Sequence, residues 1–161
     1  MKKIKVIDLF AGPGGLSEGF SSFKNSDGES FFKIALSIEK DKFAYQTLKL
    51  RSFYRQFDSA PDEYYKFIKG KINWNELKNK FPREFQFAED ETWRITLGKL
   101  DNKEIDKKIN LVIQKDQKWV LIGGPPCQAY SIVGRSRTKG INPDDHRLYL
   151  YKEYLRIIAK H

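Results

Sequence analysis

Cysteine is almost missing from this sequence, and Cys127 is its single example. That excludes an internal disulfide and a multi-cysteine zinc site. Histidine is nearly as scarce. His146 and His161 offer little material for a histidine-based metal centre. No apolar run approaches the roughly 18 residues needed to span a bilayer. The opening Met-Lys-Lys, followed by Ile4-Lys5-Val6-Ile7, is too short and too mixed for a signal peptide, so a cytoplasmic chain is expected. There is no internal repeat and no low-complexity tract.

What is present fits one domain. The chain has 161 residues, and at 40% hydrophobic and 32% charged it can bury a core and stay soluble. The net charge is +9. Such an excess suggests a polyanionic partner, most simply nucleic acid, against the plainer reading of a lysine-rich solvated surface.

The apolar pattern predicts alternating strands and helices. Lys5 to Phe10 reads as a strand, and Gly12 to Gly15 as a tight turn. Leu16 to Phe23 reads as a helix, with Leu16, Phe20 and Phe23 at helical spacing. Phe31 to Ile38 is a second strand ending at Glu39, and Asp41 can cap the next helix. The stretch from Ser52 to Trp93 alternates aromatics with lysines and predicts two or three short helices around a small local core. Trp93 to Leu97 is a candidate third strand, Asn102 to Ile109 a helix and Trp119 to Ile122 a fourth strand. The segment from His146 to Lys160 predicts a helix with Leu150, Tyr154, Leu155, Ile157 and Ile158 on one broad face. This alternation implies an α/β fold, a parallel sheet covered by helices, with ligands beyond the carboxyl ends of the strands.

Two features point to a ligand there. The turn Asp8-Leu9-Phe10-Ala11-Gly12-Pro13-Gly14-Gly15-Leu16 lets backbone N–H groups approach an anionic group at the start of a helix. Its spacing is Gly-x-Gly-Gly, and Ser17 stands where a dinucleotide fingerprint wants its third glycine. Glu39, at the end of the second strand, is placed to accept hydrogen bonds from ribose hydroxyls. S-adenosylmethionine and NAD both satisfy these two features.

Gly123-Gly124-Pro125-Pro126-Cys127-Gln128 is more specific. Two glycines and two prolines fix the backbone after a strand and hold the cysteine outside the apolar run. A free cysteine is more often a buried apolar residue. These rigid, polar surroundings suggest a nucleophile instead. A thiol with a pKa near 8.5 is only slightly ionised at neutral pH, and the basic loop carrying Arg135 and Arg137 is a candidate to assist it.

The chain resembles the C5-cytosine DNA methyltransferases. Asp8-Leu9-Phe10-Ala11-Gly12-x-Gly14-Gly15 is similar to their motif I. Glu39 with Asp41, Ala44 and Thr47 is similar to motif II. Gly124-Pro125-Pro126-Cys127-Gln128-Ala129-Tyr130-Ser131 with Gly134 is similar to motif IV, the family having Phe where this chain has Tyr130. Asp145-x-Arg147-x-x-Leu150, with Glu153 and Arg156, is similar to motif V.

The resemblance implies a Rossmann-like methyltransferase fold, partial here, with about four parallel strands. It implies S-adenosylmethionine as cofactor, S-adenosylhomocysteine as product and double-stranded DNA as partner. By resemblance Phe10 packs on the adenine, the turn Pro13, Gly14 and Gly15 holds the methionine end, Ala11 and Gly12 belong to the same cofactor-binding turn, Glu39 binds the ribose, and Pro126 and Leu150 line the pocket. Cys127 adds to C6 of a cytosine flipped from the duplex, so that C5 takes the methyl group. Gln128, Ser131, Arg135, Arg137, Lys139 and Arg147 face DNA. A restriction-modification setting is expected.

The chain also departs from the pattern. Gly98-Lys99-Leu100-Asp101 stands where the family has Gly-Asp-Ile, so Asp101 becomes the candidate partner of the adenine amino group. Residues 52–93 read as an inserted segment. The family's Glu-Asn-Val motif, target-recognition region and last cofactor motif have no counterpart. Residues 1–161 are therefore expected to be the N-terminal part of a catalytic domain, inactive alone and completed by a missing C-terminal half. The competing readings are a tRNA cytosine-5 methyltransferase, a non-catalytic cofactor- or DNA-binding half of a split enzyme, and an NAD-dependent oxidoreductase. Ser17 and the Pro-Pro-Cys-Gln stretch argue against the last.

Overall fold

The structure is a computed structural model describing residues 2–113, 118–125 and 146–161. Its centre is a four-stranded sheet in the order β3-β2-β1-β4, with every pairing parallel. The strands are β1 (Ile4–Leu9), β2 (Phe32–Ile38), β3 (Thr92–Trp93) and β4 (Trp119–Ile122). β1 is buried on both faces, as a central parallel strand requires. Ile7 and Leu9 join Leu36, Ile38, Leu97, Ile105, Ile109 and Ile157 in the main core. Val6 points the other way, to Ile34, Ile122 and Phe20.

The two strands slip by one residue. Val6 pairs with Ile34, but Ile7 pairs with Leu36, so Ala35 is the extra residue. An extra residue reverses which side chains face which side of the sheet. The slip is what brings Ser37 rather than Leu36 opposite Asp8.

Helices α1 (Gly15–Ser22) and α2 (Lys42–Tyr54) follow β1 and β2. Asp41 caps α2 as expected, its Oδ1 accepting from the N–H groups of Phe43 and Ala44. Of the three apolar residues predicted to share a face of α1, only Phe20 packs inward. Leu16 and Phe23 are exposed. Three short helices, α3 (Asp62–Ile68), α4 (Trp74–Lys80) and α5 (Pro82–Glu91), then intervene. A reciprocal Asn73–Glu76 capping box starts α4, and Pro82 opens α5. Their core is local, with Phe53, Leu77, Phe85 and Ala88 fully buried together, as the aromatic pattern suggested.

The third strand is shorter than expected. β2 ends at Ile38, opposite Trp93, so residues 94–97 have no strand left to pair with. They turn across the end of the sheet instead. Helix α6 (Asn102–Val112) precedes β4, and a 3-10 turn (His146–Tyr149) leads into α7 (Leu150–Lys160). The broad apolar face expected of α7 is narrower than the sequence suggests. Leu150 and Ile157 are buried and Tyr154 packs on the core, while Leu155 and Ile158 are exposed. At 100° per residue those two fall outside the inward stripe. Among the described residues no helix is long and apolar enough to cross a membrane.

Candidate functional site

β2 and β3 lie on one side of β1 and β4 on the other, so the order of connection reverses beside β1. Open parallel sheets form their binding crevice at such a reversal, beyond the carboxyl ends of the strands. A cleft enclosing about 580 Å³, open mouth included, occupies that place. Each strand contributes residues just past its carboxyl end: Phe10 after β1, Glu39 and Lys40 after β2, Ile95 to Leu97 after β3 and Gly124 after β4. Leu150, at the start of α7, closes one wall.

Phe10 holds a backbone φ of 56°, the left-handed region that a bulky residue rarely enters. Strain of this kind costs on the order of 1–3 kcal/mol and persists only where the surroundings over-determine it. Here Ala11 N–H donates to the Ile38 carbonyl at 2.9 Å, fixing the chain just beyond Phe10. The next glycines make the reversal. Gly12 and Gly14 have φ of 57° and 90°. From α2, Leu48 packs so closely on Gly14 that a Cβ there would lie 2.8 Å from its Cδ1. Arg51 donates from Nη1 to the Pro13 carbonyl at 3.1 Å.

Glu39 clamps the turn. Its Oε2 accepts from Gly12 N–H at 2.8 Å, and its Oε1 accepts from Asp41 N–H at 2.7 Å. Each carboxylate oxygen has two acceptor sites, so one on each remains for a ligand hydroxyl. The turn's own N–H groups are less available than the glycine pattern suggests. Those of Ala11, Gly12 and Gly14 are taken by Ile38, Glu39 and Ala11. Gly12, Pro13, Gly14 and Gly15 shape the approach to α1 and do not line the cleft, nor does Ala11.

Asp101 has a different position from the one expected. Its Oδ1 accepts from Lys103 N–H at 2.9 Å and caps α6, and it is absent from the cleft. A short acidic side chain immediately before a helix satisfies orphan N–H groups, and that local demand decides its orientation. The cleft wall at that level is formed by Ile95, Thr96 and Leu97. Among the described residues Thr96 is its one neutral polar side chain, and reading residues 93–97 as a strand conceals it. Pro126, Cys127, Gln128, Ser131, Arg135, Arg137 and Lys139, with the side chain of Arg147, lie outside the described residues.

Beneath the cleft Asp8 is fully buried. Its Oδ2 accepts from the Ser17 hydroxyl at 2.6 Å, and Ser37 Oγ lies 3.4 Å from that hydroxyl. Oδ1 has no partner among the described residues. Burial pushes the Asp8 carboxyl above its ordinary value, against the Ser17 hydrogen bonds that lower it. A raised carboxyl binds more protons folded than unfolded, so its contribution to stability falls as pH rises from the ordinary carboxylate value through the raised one. Asp8→Asn removes that fall. Urea unfolding of the variant and wild type from pH 4 to 8 is expected to diverge in the variant's favour with rising pH.

Ion pairs beside the site are tied to packing. Arg156 bonds Asp106 at 2.7 Å and Glu153 at 3.3 Å, joining α6 to α7. Burial pushes the Asp106 carboxyl up, but Arg156 and His161 outweigh it, and the net direction is down. Tyr154 Oη donates to the Leu121 carbonyl at 2.8 Å, anchoring α7 to β4. Among the described residues there is no group of three or more His, Cys, Asp or Glu side chains that could hold a metal ion.

A crossed parallel sheet with a glycine turn, a strand-end glutamate and a cleft above both defines a methyltransferase-like α/β chain. The chain belongs to the C-5 cytosine-specific DNA methylase family, which it matches over residues 4–82 and 90–161. Residues 83–89, inside α5, fall outside that match. Type II methyltransferase M.Bpa9945I of Bacillus paralicheniformis is 34% identical to it over 95% of this chain and 37% of the relative. "Putative type II methyltransferase M.OihORF3336P" of Oceanobacillus iheyensis is 28% identical over 94% of this chain and 25% of the relative. The chain therefore spans about a third or less of the length of these two relatives. No solved structure matches it significantly.

Proposed function

We propose that the chain carries the cofactor cleft and the nucleophile of an S-adenosylmethionine-dependent DNA (cytosine-5-)-methyltransferase of a restriction-modification system. The observation that carries the reading is Glu39 holding the glycine turn at the mouth of the cleft, with acceptor capacity left on each oxygen. The residues present suit an adenosine. Phe10, Ile95, Leu97 and Leu150 offer apolar surface to a base, and Glu39 offers acceptors to a ribose diol.

The cofactor would supply a methyl group on a positively charged sulfur. Phe10 and Leu150 would position the adenine and exclude water from it, and Glu39 would fix the ribose. The Cys127 thiolate would form a bond to C6 of the flipped cytosine, leaving C5 electron-rich. C5 would take the methyl group and then lose its proton to solvent. The sulfur–C6 bond would break, returning the thiolate and the aromatic ring. Covalent attack of this kind replaces one difficult substitution by easier steps.

The described residues also support a domain reading. β4 has no strand beyond it among them, and α7 turns Tyr151, Leu155 and Ile158 outward. On our reading these surfaces, with the length of the relatives, belong to the N-terminal part of a catalytic domain. Its target-recognition region and its acid for cytosine N3 come from further polypeptide. The chain by itself is then expected to methylate no duplex DNA, and any transfer by it alone would refute that part.

Titration calorimetry with S-adenosylmethionine tests the cleft. Glu39→Gln puts an amide NH2 against one of two N–H donors and should weaken binding at least tenfold. It should also cost about 1–2 kcal/mol of stability through the loosened turn. Binding unaffected by this change, or no binding by the wild-type chain, overturns the reading. In the full-length parent, 5-fluorocytosine DNA with cofactor should trap a covalent adduct that Cys127→Ser abolishes.

A further inference from the structure

A second opening lies beside the cleft and is left unused by the reaction above. It encloses about 1050 Å³, open mouth included, between α2 and the inserted helices. Lys42, Tyr45, Gln46 and Lys49 form one stripe of α2, at spacings of three, four and seven residues along the helix. Trp74 forms the facing wall, and Arg94 closes the end next to β3.

Among the described residues no carboxylate lines this groove. α2 itself carries Lys42, Lys49 and Arg51 and no acidic residue. Lys49 is committed to the wall, with Nζ 3.0 Å from Glu89 and 5.6 Å from the centre of the Trp74 ring. Lys42 and Arg94 make no hydrogen bond or ion pair with the described residues. Both are exposed. Two unspent cations therefore flank an aromatic wall.

The groove also borders the cleft along the chain. Lys40 lines the cleft and Lys42 the groove; Ile95 lines the cleft and Arg94 the groove. The two openings share a rim built from the ends of β2 and β3. A polymer presenting a base above the cleft would carry its backbone past that rim.

We propose that this groove binds the phosphodiester backbone of duplex DNA beside the base presented to the cleft, with Lys42 and Arg94 on phosphates and Trp74 and Tyr45 against sugar. The proposal rests on the reading of duplex DNA as the substrate. Phosphate contacts of this sort fix register and carry no sequence information. They release counterions, so each lost contact lowers the salt slope of binding by about 0.9.

The test is duplex binding by the chain, followed by fluorescence anisotropy from 50 to 300 mM salt. The double variant Lys42→Gln, Arg94→Gln should lower the salt slope by roughly 2 and weaken binding about tenfold at the lower salt. Lys103→Gln, Lys107→Gln on α6 makes the same charge change away from the groove and should have a clearly smaller effect. A photoreactive benzophenone amino acid replacing Gln46 should crosslink to the duplex. Equal losses in the two double variants, no crosslink, a crosslink to a second copy of the chain, or no duplex binding at all would each overturn the proposal. Titration with S-adenosylmethionine separates the outcomes. Cofactor binding with no DNA crosslink removes the groove and leaves the cleft standing, whereas its failure in the wild-type chain removes the cleft.

Discussion

Gly123→Ala is expected to destabilise the chain by roughly 3–5 kcal/mol, a large part of the total stability of a domain this size. Gly123 directly follows β4 with a φ of 126°, which an L side chain scarcely adopts. A Cβ there would also stand 1.8 Å from the Leu9 carbonyl oxygen and 2.7 Å from its carbon. Neither is the end of a flexible side chain. They belong to the last residue of β1, the strand buried on both faces. Relief would require β1 and β4 to separate where β4 is held by Tyr154. Urea unfolding should show a midpoint lowered by about one molar or more.

Gly12 and Gly124 give the contrast. Gly12 has a positive φ of 57° but nothing within 4 Å of an added Cβ, so alanine there should cost about 1 kcal/mol. Gly124 has open space and an ordinary backbone, so Gly124→Ala should leave stability nearly unchanged. It lines the cleft, and the added methyl should weaken cofactor binding instead. An unfolding free energy for Gly123→Ala within about 1 kcal/mol of the Gly124→Ala value would contradict this account of the turn.

These neighbours show how far sequence reading reaches. Gly123-Gly124 was legible as a fixed turn after a strand, because strand, glycines and prolines are local signals. Which glycine the backbone demands depends on Leu9, more than a hundred residues away. Asp41 and Glu39 were legible for the same local reason, standing between a strand end and a helix start. Asp101 carried the same local signal, and its capping bond turns it to the start of α6, away from the cleft lining. Asp8 read as part of a turn motif, yet its burial with Ser17 and Ser37 depends on a one-residue slip between two strands. The groove flanked by Lys42 and Arg94 combines a helix stripe with a residue past β3, and only the folded chain brings the two together.

Arg55→Met is expected to cost about 3–5 kcal/mol at neutral pH, because it strands buried charge. Arg55 follows α2 and donates Nη1 to Glu18 of α1 and Nη2 to Glu91 of α5. The Arg55 and Glu91 side chains are each 12% exposed, whereas that of Glu18 is 37% exposed. Water screens the Glu18 pair, so Glu91 dominates the cost. Burial already pushes the Glu91 carboxyl above its ordinary value, with Arg55 opposing it. Without Arg55 that carboxyl rises further. The loss is then full above the raised value, and it should shrink as pH falls below that value towards the ordinary carboxylate range, where Glu91 keeps its proton.

The double variant Arg55→Met, Glu91→Gln should recover most of the loss at neutral pH, since it leaves no buried charge. Arg55→Met, Glu18→Gln should recover little. A loss constant from pH 5 to 8, or equal rescue by the two glutamine changes, would show that packing rather than charge sets the effect. The triad joins the inserted helices to α1, the helix that begins at the glycine turn. Arg51 of α2 meanwhile holds the Pro13 carbonyl of that turn. Loosening Arg55 should therefore reach the cleft as well, so that Arg55→Met binds S-adenosylmethionine more weakly even where the chain remains fully folded.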